Sequence, residues 1–506
     1  HQVTQKPVIE GVETMAGKDT KSARIRARLN HPIIDSDGHW IEYEPVAMEY
    51  LERAGGRTLV ERYRKVSAPF GAMARMPLAA RRDKRVSQPP WWGVPTRNTL
   101  DRATAMIPKL LYERMPDMGL DFAVIYSTGG SLFAPFLRDE EVRKASCHAF
   151  NIFLADTFRD YADRLTPAAV IPMHTPDEAI AELEHVKELG LKVVMMSSLI
   201  RRPVPDVARK APEYLRYALW MDTLGLDSDY DYDPVWNKCL EIGVAPTFHS
   251  SVQGYGLHSS LTNMVYNHIG HFGAAGEAVC KSLFLGGVTA RFPRLRAAFL
   301  EGGVTWGCRL YADLIGHWKV RNPDALARLD PRNLDRRMLT ELVHEYGSDS
   351  LRRGFDAEQA SMGGGDWAPE NPDDFSRCDI GDPKDIRDRF VPNFFFGCEA
   401  EDPLIAWAFN AKVNPLHARL GAVLGSDIGH WDVPDMEEIA AEAYELVENG
   451  VLSEEDFRDF TFTNPLKLWA SLNPDFFKGT AIEAEATREL AGSRITDTAG
   501  APLARS

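Results

Sequence analysis

The chain has no apolar run approaching the ~20 residues needed to cross a bilayer, and its longest hydrophobic stretches are of strand length. The opening segment, His1 to Ser22, is polar and lacks the apolar centre of a signal peptide. Its six cysteines, at 147, 239, 280, 308, 378 and 398, contain no CxxC pair. That pattern reads as reduced, buried thiols in a cytoplasmic protein and not as a disulfide framework. There is no excess of basic charge, since the net charge is −15, so neither nucleic acid nor an anionic membrane is an expected partner. No GxGxxG or GxxxxGK[ST] phosphate loop follows a strand, and Gly363–Gly365 is a lone glycine run. GxSxG is also missing, which sets aside a serine hydrolase.

What is present is an ordinary globular composition over 506 residues, 44% hydrophobic and 26% charged. From about residue 30, short apolar runs alternate with helical segments. Asp121–Tyr126, Ala168–Pro172, Lys192–Met196, Val244–Phe248 and Leu295–Leu300 read as strands. Thr175-Pro176-Asp177-Glu178 starts a helix that Gly190 ends, and Gly243 closes another over Val235–Ile242. Repeated strand–helix–strand units imply parallel strands with right-handed crossovers. A doubly wound sheet and a barrel both satisfy that. Two motifs at opposite ends of the chain select the barrel: Ile34-Asp35-Ser36-Asp37-Gly38-His39, and Gly425-Ser426-Asp427-Ile428-Gly429-His430-Trp431-Asp432. Ligand-type residues so far apart can meet only if the first and last strands are neighbours. The predicted fold is therefore an α/β (β/α)8 TIM barrel with large loop insertions.

The expected organisation is an N-terminal extension over 1–30, the barrel over 31–480, and a C-terminal tail over 481–506, frayed beyond Glu485. Residues 56–118, which are basic, aromatic and irregular (Pro89-Pro90-Trp91-Trp92-Gly93), read as an excursion over the active face. Residues 320–395, rich in Asp, Arg, Pro and Gly, read as a lid or a subunit contact.

Five residues stand just past strand ends. Asp37 and His39 are one residue apart, so their side chains share one side of an extended strand. His249, Glu301 and Asp427 each follow an apolar run and precede glycine or small residues. One strand-end Asp or buried His is usually structural, but five in register indicate a metal site. With two imidazoles and three carboxylates, the set favours Mn²⁺ or Fe²⁺ without excluding Zn²⁺, as one or two ions.

The sequence resembles the amidohydrolase superfamily, in the branch of aminocarboxymuconate semialdehyde decarboxylase and related aromatic-acid decarboxylases and hydrolases. The resemblance runs from about residue 31 to 480. It rests on Ile34–Glu42, Asp163-Arg164-Leu165 with the 168–196 segment, and Thr247-Phe248-His249. It continues through Gly286-Gly287-Val288, Arg291–Leu295, Glu301–Trp306 and Gly425-Ser426-Asp427. It implies that the first-strand ligands, usually His-x-His, are here Asp37 and His39, that the fifth-strand His is His249, and that the last-strand Asp is Asp427. The place of the decarboxylase's catalytic His after the sixth strand is held by Glu301. A small-molecule substrate and a homodimer are also implied.

Other candidates surround this set. His268 and His271, at i and i+3 on one face of a predicted helix, are read as a further metal ligand, a proton donor or structural residues. His430 is expected in the pocket, oriented by Asp432, and Trp40, Trp306 and Trp431 as its walls or as packing. Glu42, Glu44, Glu399, Glu401 and Asp402 read as solvated or capping carboxylates, and Arg75, Arg201 and Arg202 as possible clamps on a substrate carboxylate. The expected enzyme is a metal-dependent hydrolase of a small cyclic or carboxylate-bearing substrate, acting on a C–N, C–O or C–C bond, or a non-oxidative decarboxylase. Its catalytic residues are expected to be Asp427, His271 and His430, with Asp37, His39, His249, Glu301, Asp427 and His268 on the metal. The alternative is a non-haem (di-)iron monooxygenase acting on an apolar substrate.

Overall fold

The computed structural model describes residues 19–88, 98–215, 217–357 and 371–492. Eight parallel strands form one sheet: β1 (Ile34–Trp40), β2 (Phe122–Ser127), β3 (Leu165–Ile171), β4 (Val193–Met196), β7 (Pro246–Phe248), β8 (Ala297–Phe299), β9 (Phe394–Cys398) and β10 (Gly421–Leu424). A separate antiparallel pair, β5 (Ile200–Pro203) and β6 (Leu219–Asp222), lies between β4 and β7 in the chain. The sheet closes on itself at one seam. There the Ser426 and Asp427 N–H groups donate to the Asp35 carboxylate and the Asp37 carbonyl, each at 2.9 Å, and the His39 N–H donates to Ile428 O at 2.8 Å. The expected (β/α)8 barrel is the observed fold.

Period two along each strand divides the apolar residues into two cores. Phe122, Val124 and Tyr126 of β2, with Ala168, Val170, Val193, Met195, Ala298, Phe395 and Val423, fill the barrel. Their neighbours Ala123, Ile125, Ala169, Ile171, Val194 and Met196 face the helical layer. The end of the barrel where strands begin is covered by the C-terminal segment. Phe476 and Phe477 pack edge-on against Phe122, and Lys192 Nζ donates to Phe476 O at 2.6 Å.

Helix starts and stops follow the expected chemistry. Thr175 Oγ1 caps the helix Pro176–Glu188 by accepting from Glu178 N at 3.2 Å, and Gly190 turns the chain out at φ +73°. The helix Asp233–Ile242 ends at Gly243, φ +73°.

The described parts of both insertions and of the tail are more regular than their composition suggests. Within 56–118 most described residues are helical (Glu44–Ala74, Leu78–Lys84, Thr99–Thr104, Pro108–Met118), while Trp91 and Trp92 lie outside the described residues. Within 320–395 the described chain forms four helices before β9 begins at Phe394, and Gly363–Gly365 are outside the described residues. A helix runs on past Glu485 to Gly492, because Ala486 is buried in the barrel-end core. All six cysteines are buried and free. Among the described residues no helix is long and apolar enough to cross a membrane.

Candidate metal centre

The strand ends bring Asp37, His39, His249, Glu301, Asp427 and His430 to one place. Nε2 of His39 lies 3.5 Å from Asp37 Oδ1 and 3.2 Å from Asp427 Oδ1. Nε2 of His249 lies 2.9 Å from Glu301 Oε2 and 3.8 Å from Asp37 Oδ2. His430, on the turn after β10, places Nδ1 2.6 Å from Asp427 Oδ1 and stacks its ring on His39, centroids 3.8 Å apart. Two overlapping groups result, His39–Glu301–Asp427–His430 and Asp37–His39–His249, with the donor atoms of each within 4.8 Å of one another.

Local backbone chemistry explains how these side chains reach the mouth. Glu301 and Asp427, in the loops that follow β8 and β10, adopt φ +57° and +51°. That left-handed conformation costs a non-glycine residue roughly 1–2 kcal/mol, and here it swings each carboxylate inward. Gly425 permits the seam to close: a Cβ there would stand 2.9 Å from Asp37 Cβ. Below the centre, Tyr126 donates its hydroxyl to Thr247 Oγ1 at 3.0 Å and forms the floor under His39 and His249.

The electrostatics follow from burying like charges together. Burial lifts Asp37 and Glu301 well above the usual carboxylate range; Asp427 adds to both, while His249 opposes the rise on Asp37. Burial also opposes charge on Asp427, but His430 and His39 hold it well below its ordinary value. His430 loses affinity for a proton through burial and regains more from Asp427, ending at about 9. His39 is pushed down to about 3 by burial, with His430 beside it.

The donor set fits a divalent cation. Asp37 Oδ1, His39 Nε2, His249 Nε2, Glu301 Oε2 and Asp427 Oδ2 are buried and make no hydrogen bond, although buried polar atoms ordinarily have partners. An ion held at ~2.0–2.2 Å sets neighbouring donors ~3.0–3.5 Å apart, and the separations above bracket that range.

The remaining expected residues divide. His268 and His271 are outside both donor groups. They do not share a helix: His268 ends the short helix Met264–His268, Gly270 turns the chain at φ +75°, and His271 starts the helix His271–Leu285. His271 is buried, with Nδ1 3.0 Å from Ser251 Oγ and its ring against Phe272. His268 lies against Trp431, ring centroids 5.5 Å apart, at the edge of a cleft of about 210 Å³ that Phe272, Glu301, Glu399 and Asp402 also line. Burial, with the negative charge of Asp427, pushes the Asp432 carboxyl up to about 7.

Trp40 and Trp306 are packing residues and not pocket walls. Trp40 is on the outer face of β1 against Phe153 and Phe158, and Trp306 packs on Phe299 and Phe396. Arg202 is committed to Asp222, Tyr232 and the His174 carbonyl. Glu42 caps a helix start, accepting from Gly129 N and Gly130 N at 2.8 and 2.7 Å. Glu399, read from the sequence as solvated, instead follows β9 at the cleft, where burial and then Asp427 push it up to about 8. Its signal was the pattern shared by the others, an acid directly after an apolar run. Asp35, also on β1, is a buried stitch that accepts from Ser426 N, Ser426 Oγ and Asp37 N.

Solved structures align with much of the chain at low identity. An amidohydrolase from Mycobacterium avium subsp. paratuberculosis is 19% identical, with 87% of this chain and 98% of that one covered and a TM-score of 0.49. A dihydroxybenzoic acid decarboxylase from Polaromonas sp. with bound manganese and 2-nitroresorcinol is 15% identical, with coverage of 87% and 97% and a TM-score of 0.48. A 5-carboxyvanillate decarboxylase from Sphingomonas paucimobilis is 14% identical, with coverage of 87% and 98% and a TM-score of 0.46. Residues 111–351 match the sequence profile of the amidohydrolase family. That stretch holds β2 to β8 with His249 and Glu301, while β1 and β10 bring Asp37, His39 and Asp427 from either side of it. Over that stretch the chain is similar to the amidohydrolase family.

Proposed function

We propose that the chain is a metal-dependent enzyme that hydrolyses a C–N, C–O or C–C bond in a small cyclic or carboxylate-bearing substrate. The observation that carries this reading is the convergence of five buried, unbonded donor atoms from β1 and the ends of β7, β8 and β10. Asp37, His39, His249, Glu301 and Asp427 would hold the cation, one ion or two, and their three carboxylates favour Mn²⁺ or Fe²⁺ over Zn²⁺. A divalent ion supplies Lewis acidity, polarising a substrate oxygen or a water molecule.

The protein's own groups supply the proton handling. Asp427, kept ionised by His430 and His39, accepts the proton of the attacking water. His430, 2.6 Å away and charged at neutral pH, donates a proton to the departing atom. Between the two proton donors expected from sequence, this geometry favours His430, since His271 Nδ1 is engaged by Ser251. Trp431 and His268 flank the approach. The same acid suits non-oxidative decarboxylation, in which a proton replaces CO₂ on carbon, and this is the second reading. The iron monooxygenase alternative gains no support from the family match.

The test is metal analysis of protein purified from unsupplemented cells, with turnover assayed on lactones, amides and aromatic acids. Mn, Zn or Fe bound without a visible chromophore, and lost together with turnover in Asp427→Ala, is the expected result. Two irons per chain with the absorbance of an oxo-bridged ferric pair would replace the hydrolytic reading with the oxidative one. Unchanged metal and turnover in Asp427→Ala would remove the site assignment.

A further inference from the structure

On the helical layer outside the barrel wall, a second group of ligand-type side chains meets. The helix Glu140–Phe158 contributes His148, and the helix Pro176–Glu188 contributes Glu182 and His185. One donor atom of each lies within 4.8 Å of the other two. The imidazole rings stack with centroids 3.6 Å apart, and His148 Nδ1 is 3.6 Å from Glu182 Oε2. Glu182 and His185 form a Glu-x-x-His pair on one helix face, a spacing that lets both side chains reach one ion.

The environment of Glu182 separates this group from chance proximity. Its carboxylate is buried, 6% exposed, yet among the described residues no Lys or Arg pairs with it. Glu178, one turn earlier on the same helix and equally buried, shows the usual solution: Arg143 grips both its oxygens at 2.9 and 2.6 Å. Glu182 instead has the Asn151 amide on Oε1 at 2.7 Å, leaving Oε2 facing His148. Asn151 is itself fixed to β3, donating to Val170 O at 3.0 Å and accepting from Val170 N at 2.8 Å. A ligating carboxylate is typically oriented by such an outer donor. Nε2 of His185 is also buried and makes no hydrogen bond.

We propose that His148, Glu182 and His185 form a second, structural cation site that takes Zn²⁺ through two imidazole nitrogens and one carboxylate oxygen. The donor set selects the ion: imidazole suits borderline cations such as zinc, whereas Mg²⁺ and Ca²⁺ require oxygen ligands. His148 is half-exposed, so the ion enters from solvent and keeps an open position there. Binding joins the two helices and occurs only in the folded chain, so it raises stability.

Zinc is titrated into enzyme already holding its own metal, and bound zinc is counted by mass spectrometry after gel filtration. The expected result is one added zinc per chain in the wild type and none in the His148→Ala/His185→Ala double variant. Glu182→Gln retains the carbonyl that Asn151 engages and is expected to weaken zinc binding about tenfold or more. Cobalt offered in place of zinc should give visible bands in the wild type that the double variant lacks. Both His positions are at least partly exposed, and circular dichroism verifies folding of the variants. Equal zinc uptake by the wild type and the double variant overturns the proposal.

Discussion

The Asp427 carboxylate has His39 Nε2 at 3.2 Å and His430 Nδ1 at 2.6 Å, on a backbone turned to φ +51°. Asp427→Asn preserves the shape of this arrangement and removes its charge and basicity. If Asp427 takes the proton of water, kcat falls ~10²–10⁴-fold, with metal retained more fully than in Asp427→Ala. Steady-state rates on any substrate found by screening check this, and a kcat within threefold of wild type would exclude Asp427 as the base. A second residue-scale effect lies away from the centre. His174 follows β3, its Nδ1 buried and unbonded, and burial, with Arg143, Arg202 and Arg201, holds its imidazole down at about 3. Near pH 7 both folded and unfolded chains carry it neutral. Below about 6.5 the unfolded chain takes up a proton that the folded one refuses, so stability present above that pH is lost progressively toward pH 3. At 1.36 kcal/mol per pH unit the upper limit by pH 5 is about 2 kcal/mol. His174→Gln, which stays neutral, should gain relative to wild type between pH 7 and pH 5 in urea unfolding. A difference between the two proteins that does not change with pH would refute the assignment.

At the scale of elements, the seam between β1 and β10 depends on Asp35. Its buried carboxylate accepts from Ser426 N at 2.9 Å, Ser426 Oγ at 2.5 Å and Asp37 N at 3.1 Å. Ser426→Ala removes one charge-assisted bond from a group with no water to replace it, and should cost about 1–3 kcal/mol in urea unfolding. A loss below 0.5 kcal/mol (roughly a third of a typical charged hydrogen bond) would mean that the backbone donors alone hold the seam. The same scale shows what a sequence makes legible. β2, β3 and β4 stand out because both faces of their strands are covered, giving continuous apolar runs. β9, Phe394–Cys398, was hidden: it contains glycine and follows a long polar stretch, so Glu399 behind it lost its context. The antiparallel pair β5–β6, Ile200-Arg-Arg-Pro203 against Leu219-Trp-Met-Asp222, shows no period-two pattern and belongs to no barrel repeat. Strand periodicity placed Asp37 and His39 together without any knowledge of the fold. Helical periodicity failed for His268 and His271 because one glycine, Gly270, at φ +75°, separates two helices that spacing alone joins.

At the scale of the whole molecule, the metal centre and the closure of the barrel are coupled. β1 and β10 are joined by the hydrogen bonds that place Asp37 and Asp427 side by side, with Glu301 opposite. Three buried carboxylates so close repel, and burial with this repulsion lifts Asp37 and Glu301 well above their ordinary range. A cation that binds the folded chain and not the unfolded one offsets the repulsion and stabilises by RT ln(1 + [M]/Kd), about 2.7 kcal/mol at a hundredfold excess over Kd. Chelation should therefore lower the melting temperature as well as end turnover, by roughly 1 °C per kcal/mol in a protein of this size. Asp37→Asn removes one of the repelling charges and one ligand together. Its metal-free form should melt above the metal-free wild type, while its metal-dependent increment shrinks. Calorimetry of both proteins with and without chelator, with metal content measured in parallel, separates the two contributions. If chelation strips the metal and the wild-type melting temperature does not move, the coupling between the cation and the seam is absent, and the three carboxylates must be neutralised by protons instead.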